Sequence, residues 1–422
     1  MRMSDGTIES NYRWLILFVG TAGLVISNGL AIGGIPVFSR PIQNDLIAAG
    51  VISVDTAQSF IANASVITFL MSGVSSLAGA WLLRYVSIKI LILTGCLMLG
   101  SAFVIHSYAD SIAAIYFSRF LIGTSLGFVG VTPSVVLVSG WFERRRGTAL
   151  GILLTGTSIG GFLMPIVFAK MIELYQWRTA MLVVSGFIWF ILMPVVVLFI
   201  REPAELANND SAAIPDTGST LEAVRFTGPT LPEALKTSKF WIFAAAAALI
   251  FYTIFVTTQQ FILYLQSPKI GMSLAVASWL QSILFALSVT GKSAAGFLSD
   301  RFPAGRVTLW STLLMFVSTL VLLLAGIPLL FLILYGLGYG ATFVLLQRLV
   351  SEYFGRRDYA RILGAITLIE ILGGVVGGRV TGYLADLNGG DYTIAFYVLI
   401  VVTAAIVGCM FILDRKYTQS AY

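Results

Sequence analysis

Twelve stretches of this sequence stay apolar over the length a helix needs to cross a bilayer, about 20 residues. They fall at 14–38, 58–83, 88–106, 112–139, 147–173, 178–200, 239–266, 274–299, 306–324, 327–351, 361–385 and 392–413. Hydrocarbon offers the backbone no hydrogen-bond partners, so stretches of this kind satisfy their peptide groups internally and fold as helices. The expected architecture is an all-α membrane protein with twelve transmembrane helices. Several stretches exceed the minimum length, which predicts tilt. The least marked boundary separates the ninth span from the tenth, where Gly326, Ile327 and Pro328 supply the turn.

Composition agrees. Residues of the AVILMFWYC set make up 58% of the 422 and charged residues 11%, against about 25% charged in ordinary globular chains. Mean hydropathy is +0.91. One histidine, His106, excludes a multi-histidine metal site and argues against a histidine-based triad. Cys96 and Cys409 both sit in apolar runs, so neither a disulfide scaffold nor a cysteine zinc site is expected. No metal and no cofactor is expected. Met1–Tyr12 carries Asp5 and Glu9 and reads as no cleavable signal peptide.

A net charge of +6 could suit nucleic acid, but its placement points to basic loops on one side of a membrane. Of the 26 lysines and arginines, 18 fall in loops and span ends on the side that carries both termini, 4 on the other side, and 4 (Arg119, Lys292, Arg348 and Arg379) further inside spans. That asymmetry predicts cytoplasmic termini in the inner (plasma) membrane, with no nucleic-acid partner.

The longest polar interruption lies between the sixth and seventh spans, around Asn208-Asn209-Asp210-Ser211 and Pro215-Asp216. It predicts two six-helix bundles, 1–200 and 239–422, joined by a cytoplasmic linker over 201–238. Leu231-Pro232-Glu233-Ala234-Leu235-Lys236 predicts a short interfacial helix with proline in its first turn. An internal repeat supports the division. Val138-Ser139-Gly140-Trp141-Phe142-Glu143-Arg144-Arg145 matches Val350-Ser351-Glu352-Tyr353-Phe354-Gly355-Arg356-Arg357, and Gly160-Gly161 matches Gly373-Gly374 at nearly the same offset. Two parallel six-helix repeats are the sequence sign of an alternating-access carrier.

Ionisable groups within spans are costly and mark candidate sites. Lys292 lies about 10 Å inside span eight at 1.5 Å per residue. It shares a helix face with Ser288, Gly296 and Asp300. It reads either as an anchor for an anionic substrate or as a lysine that snorkels or pairs with an acid. Arg119 shares a face with Gly123 and Gly127, a stripe that also serves close helix packing. It reads as substrate-binding, or as holding span-one carbonyls or a coupling acid. Arg379 is a third substrate-binding candidate, with an interfacial role beside Asp386 as the alternative. Arg348 lies near a span end, where snorkelling explains it.

Glu370 is the one acid near the middle of a span and the candidate for proton coupling. Its alternative is a static ion pair with Lys292 or Arg119. Arg379, nine residues on, points about 180° away, so the two cannot face one cavity from an unbroken helix. Asn28, Gln259 and Tyr335 complete the substrate-binding candidates. Asn63, Thr257, Thr258, Gln260 and Tyr339 are further lining candidates, and the Thr257–Gln260 run predicts a local break in span seven. The glycines of Gly336-Leu337-Gly338-Tyr339-Gly340 lie within an apolar span without a preceding soluble strand, which excludes nucleotide binding there.

Several of these segments resemble the major facilitator superfamily. Gly296-Phe297-Leu298-Ser299-Asp300-Arg301 with Gly305-Arg306 is similar to the superfamily's loop motif after span eight, which implies a gate role for Gly296, Asp300 and Arg301. In the first-half copy Gly79 and Arg84 remain, but Leu83 replaces the expected aspartate. Arg119-x3-Gly123-x3-Gly127 resembles the span-four motif. Gly151-x4-Gly156-x3-Gly160-Gly161, followed by Pro165, resembles the span-five motif.

Within the superfamily, three features resemble the monocarboxylate porter and oxalate:formate antiporter branch. They are Trp141-Phe142-Glu143-Arg144-Arg145-Arg146-Gly147, Leu231-Pro232-Glu233-Ala234-Leu235 before Phe240-Trp241, and a cation four residues before Gly296. The branch often carries arginine where this chain has Lys292.

Gly-x4-Gly-Lys-Ser/Thr is absent, so an ion or solute gradient must supply the energy. The resemblance implies a secondary transporter of a small monocarboxylate coupled to protons, working as a monomer in the lipid bilayer. Embedded cations outnumber Glu370, which also favours a small organic anion. The alternatives are an organic anion exchanger, an exporter of neutral or cationic compounds, and a non-transporting membrane sensor. An enzyme is not expected, since no nucleophile, base or metal-ligand set converges at one depth.

Overall fold

In the computed structural model the chain is described over residues 5–83, 85–142, 146–201, 228–355 and 357–418. Arg84, the Glu143-Arg144-Arg145 part of the repeat, Arg356 and most of the expected 201–238 linker lie outside those residues. Every regular element among the described residues is helical. Among the described residues, eleven stretches are long and apolar enough to cross a membrane. Ten of them coincide with one expected span each. The other, Ala149–Phe199, runs for 51 residues, about 76 Å at 1.5 Å per residue, more than twice the hydrocarbon thickness. Gln176 interrupts it with φ 62° and ψ 162°, a conformation outside the helix that reverses nothing by itself but ends span five and starts span six. The architecture is the twelve-helix membrane fold.

Local sequence explains where the helices begin and end. Ser87, Ser111, Thr237 and Ser273 each accept, on the side-chain oxygen, the free backbone N–H three residues on, in the first turn of spans three, four, seven and eight. The faint boundary between spans nine and ten is a left-handed turn at Gly326 (φ 65°), and Pro328 opens the tenth helix. Span seven is helical over Ser238–Gln259, breaks at Gln260 and resumes as Phe261–Leu265. The expected interfacial helix is a single turn, Leu231–Ala234. Thr230 N donates to Glu233 Oε2 (2.7 Å), and Leu231 N donates to Asp358 Oδ2 (2.8 Å). The hydrogen bonds from Thr230 hold the Glu233 carboxyl below the usual carboxylate range.

The chain forms two compact units, Met1–Ile52 with Ile67–Leu221, and Ser53–Val66 with Glu222–Tyr422. The beginning of span two therefore belongs to the second unit and its remainder to the first. Within the first unit, span five presses on span one through bare backbone. A β-carbon at Gly156 would fall 2.6 Å from the Thr21 carbonyl oxygen, one at Gly160 would collide with the Val25 carbonyl, and one at Gly33 would fall 2.7 Å from Gly161 Cα. The second unit repeats this packing with span eleven on span seven. There Gly373 meets the Ala248 backbone and Gly377 meets Tyr252. Gly160 and its repeat counterpart Gly373 thus do the same steric work in the two units.

A side chain at Gly160 must push two backbones apart. Gly160→Ala is expected to cost about 1–3 kcal/mol, the usual range for overpacking. A lowered midpoint in thermal unfolding of the purified protein checks this, and an unchanged midpoint contradicts it.

Candidate functional site

The second unit gathers most of the expected polar residues on spans seven, eight and ten. Lys292 is partly exposed on span eight, with Nζ 5.1 Å from the centre of the Phe343 ring of span ten. That ring face is a favourable seat for a cation. Ser288, one turn back, is buried where span ten approaches most closely, because a β-carbon at Gly340 would collide with the Ser288 carbonyl. Gln281 lies further along the same helix, fully buried, and donates through Nε2 to the Thr258 carbonyl (3.1 Å). Eleven residues separate Gln281 from Lys292, a rotation of only about 20° on a helix. Sequence inspection passed over Gln281, and that spacing was the available signal. It also passed over Phe343, for which a partner helix had to be known.

The break in span seven is built from polar side chains. Thr257 and Thr258 donate back to carbonyls of Thr253 and Ile254 (2.8 and 2.7 Å), which loosens the last helical turn. Gln260 Nε2 donates to the Gly378 carbonyl of span eleven (3.1 Å). Gln259 is buried at the same place. Tyr335 is fully buried with its hydroxyl beside those of Thr253 and Thr257, so it stands inside the packing of spans seven and ten. Tyr339 is buried one turn on, edge-to-face with Phe285.

Glu370 is 8% exposed and forms no ion pair among the described residues. It lies on the buried face of span eleven, in phase with Gly373 and Gly377 against span seven. Arg379, on the opposite face, donates through Nη1 to Asn63 Oδ1 of span two (2.7 Å). The structure thus separates the two charges as their nine-residue spacing requires.

In the loop motif after span eight, Arg348 Nη1 donates to Asp300 Oδ1 and Ser299 Oγ, both at 2.9 Å. Arg348 therefore joins the end of span ten to the motif, a partnership that a snorkelling arginine did not suggest. Arg301 lies over the Phe297 ring at 4.1 Å. Gly296 has open space where a side chain would stand.

In the first unit, Arg119 is 1% exposed, and its three guanidinium nitrogens are sealed without a hydrogen-bond partner among the described residues. Its own carbonyl accepts from Thr68 Oγ1 of span two (3.2 Å). Gly123 and Gly127 bring span four onto the backbones of Thr68 and Ser75. The Arg119 stripe is a packing face carrying one unpartnered cation. Next to it, His106 Nδ1 hydrogen-bonds Ser118 Oγ (2.6 Å). Asn28, also buried, donates weakly to Ser27 Oγ (3.5 Å) at the end of the first α-helical segment. Among the described residues no group of three or more histidine, cysteine or acidic side chains could hold a metal ion.

A helical membrane fold in two units, with repeated glycine contacts and embedded charges, is that of a membrane transporter. The profile of the Major Facilitator Superfamily matches residues 17–268 and 261–421, and the chain belongs to that family. It is 26% identical over 319 residues to Monocarboxylate transporter 13 of Rattus norvegicus, spanning 73% of this chain and 69% of that protein. It is also 26% identical over 361 residues to Monocarboxylate transporter 12-B of Danio rerio, spanning 78% and 73%. Among solved structures, a bacterial homolog of the human lysosomal transporter Spinster superposes with a TM-score of 0.72 at 14% identity, covering 97% of this chain and 98% of that one. That likeness is one of fold. The chain is a multi-pass membrane transporter and not an enzyme.

Proposed function

We propose that this transporter carries a small organic anion of the monocarboxylate class together with a proton, by alternating access. The observation that carries the reading is Lys292, a cation set seven residues inside span eight on the same face as Gln281 and Ser288. An ammonium group there brings positive charge and N–H donors that suit a carboxylate, and it lies over the face of the Phe343 ring. The relatives named monocarboxylate transporters support the same substrate class. Arg119, Arg379, Asn28, Gln259 and Tyr335 stand as further substrate-binding candidates. Tyr335 and Asn28, both buried in helix packing, fit a positioning role better than direct contact. Glu370 is the proton-coupling candidate, and Asp300 with Arg301 the gate.

The purified protein is expected to gain thermal stability with small monocarboxylates and not with amino acids or sugars. In proteoliposomes an inside-alkaline pH gradient is expected to drive uptake of the same acids. Stabilisation by neutral or cationic compounds alone would replace this reading with an exporter. Uptake that requires a second organic anion inside, whatever the pH gradient, would replace it with an exchanger.

The proposed orientation puts the basic side, with both termini and the 201–238 linker, in the cytoplasm of the plasma membrane. A single cysteine at Ser211, with Cys96 and Cys409 replaced, is expected to react with an impermeant maleimide only in inverted or opened membranes. Reaction in intact cells would reverse the topology.

A further inference from the structure

Span seven is interrupted inside the membrane. Its first half, Ser238–Gln259, stops at Gln260, and Phe261–Leu265 resumes the helix. A helix that stops there leaves the negative end of its dipole and its last-turn carbonyls at that depth. Of those carbonyls, Val256 O accepts from Gln260 N (2.9 Å) and Thr258 O from Gln281 Nε2 of span eight (3.1 Å). The Gln281 amide is thereby fixed at the break, beside the Gln260 amide, whose Nε2 donates to the Gly378 carbonyl (3.1 Å). Each amide nitrogen is engaged and each amide oxygen is not. Gln260 Oε1 and Gln281 Oε1 are sealed from solvent without a hydrogen-bond partner among the described residues. Ser278 Oγ and Ser282 Oγ are sealed in the same way. These serines are four residues apart and share a helix face with Gln281. In the antiparallel register set by Thr258 and Gln281, Ser278 stands level with Phe261, next to Gln260. All four residues are at most 1% exposed, and all lie in the second unit.

We propose that the break in span seven is a sodium site, with Gln260 Oε1, Gln281 Oε1, Ser278 Oγ and Ser282 Oγ as its side-chain donors. Buried polar atoms are paired in native folds, and four unpaired ones gathered at one break call for a shared ligand. Every one of them is an oxygen with lone pairs to give, and the helix end adds partial negative charge. The sign of that field selects a cation, and oxygen donors select a hard one. The donors are uncharged amides and hydroxyls, whereas divalent ions are held with carboxylates. A monovalent ion therefore fits, and a broken membrane helix with free backbone carbonyls is a setting that carriers use for sodium. The site needs none of the histidine, cysteine or acidic ligands whose scarcity excludes a conventional metal centre. Lys292 lies eleven residues further along span eight, about 16 Å away, so the sodium ion and the ammonium group occupy separate places.

The test follows thermal unfolding of the purified full-length protein in detergent, with sodium chloride exchanged for choline chloride at constant ionic strength. Sodium is expected to raise the unfolding midpoint saturably, by about 2 °C or more, as a ligand of the native state does. Choline is expected to leave it unchanged. Ser278→Ala combined with Ser282→Ala removes two donors at helical positions where alanine raises helix propensity, so folding is retained. In that double variant the sodium concentration for half-maximal stabilisation is expected to rise about tenfold or more. Gln281→Leu keeps the volume, removes an amide oxygen and is expected to abolish the sodium response. If Gln281→Leu does not fold, the serine variant decides alone. A midpoint indifferent to sodium in the parent means that ordered water alone satisfies these oxygens, and it overturns the site. An undiminished sodium response in the folded serine variant overturns it too, by placing the ion elsewhere. Neither result bears on the carried anion, because no organic acid is present in the test.

Discussion

Lys292→Gln is expected to abolish carboxylate uptake while the protein still folds and inserts. The lysine is partly exposed over Phe343, where a neutral residue of similar length has room. What is lost is the charge that meets the carboxylate. Truncating one partner of a buried, hydrogen-bonded charge pair costs about 2–5 kcal/mol, so affinity should fall by roughly thirtyfold to several thousandfold. Lys292→Arg tests geometry separately. Arginine keeps the charge but presents a planar fork that demands more room beside the ring and favours bidentate oxygens. Measurable transport with altered preference among acids is therefore expected for Lys292→Arg. Phe343→Leu should weaken binding less than Lys292→Gln, because it removes the seat and leaves the charge. Isothermal titration or thermal shift with the preferred acid reads all three. Unchanged affinity in Lys292→Gln would move the anchor elsewhere, with Arg379 and Arg119 next to test, the latter because its guanidinium is buried without a hydrogen-bond partner among the described residues.

The fold was far more legible than the site, for physical reasons that particular residues make plain. A bilayer imposes one length and one secondary structure, so twelve apolar runs are enough to place the helices. Their starts were visible too, since Ser87, Ser111, Thr237 and Ser273 are ordinary capping residues at the expected positions. Even the faint turn at Gly326 carried its conformational reason, a positive φ. The glycine motifs marked close packing, but which backbone each one meets depends on the partner helix. The site depends on that same information throughout. Helical phase alone separated Glu370 from Arg379 and, carried along span eight beyond Ser288, would have added Gln281 to Lys292. Phase could not say that Arg379 meets Asn63, 316 residues away, or that Asp386 caps span two. It could not say that Arg348 closes on Asp300 either. Each of these contacts joins helices remote in sequence, and nothing local to either helix encodes the pairing.

Glu370→Gln is expected to uncouple transport from the pH gradient while leaving exchange intact. The carboxyl is nearly buried, stands with Gly373 and Gly377 against span seven, and forms no ion pair among the described residues. Arg379 cannot approach it, because it points from the opposite face of span eleven and is engaged by Asn63. A static salt bridge, the alternative role considered for this residue, therefore has no partner in this state. Ionising a buried carboxyl requires water or a cation beside it. The nearby seam has a feature that can admit either one, since span seven is broken at Gln260, and Gln260 holds span eleven by a single hydrogen bond to Gly378. A change in the packing of those two helices would alter the surroundings of Glu370 and so its protonation, which is what coupling demands. An inside-alkaline gradient of one pH unit is worth about 1.4 kcal/mol per proton, so one-to-one symport of a monoanion supports roughly tenfold accumulation. With Glu370→Gln the ratio should fall to about one, because glutamine stays neutral on both sides. Counterflow of labelled against unlabelled substrate should continue, because it needs no net proton movement. Accumulation that persists in the variant under a pH gradient alone would return Glu370 to a packing role and make proton-independent anion exchange the better mechanism. Loss of both accumulation and counterflow in a folded variant would mean instead that the carboxyl serves the conformational change itself.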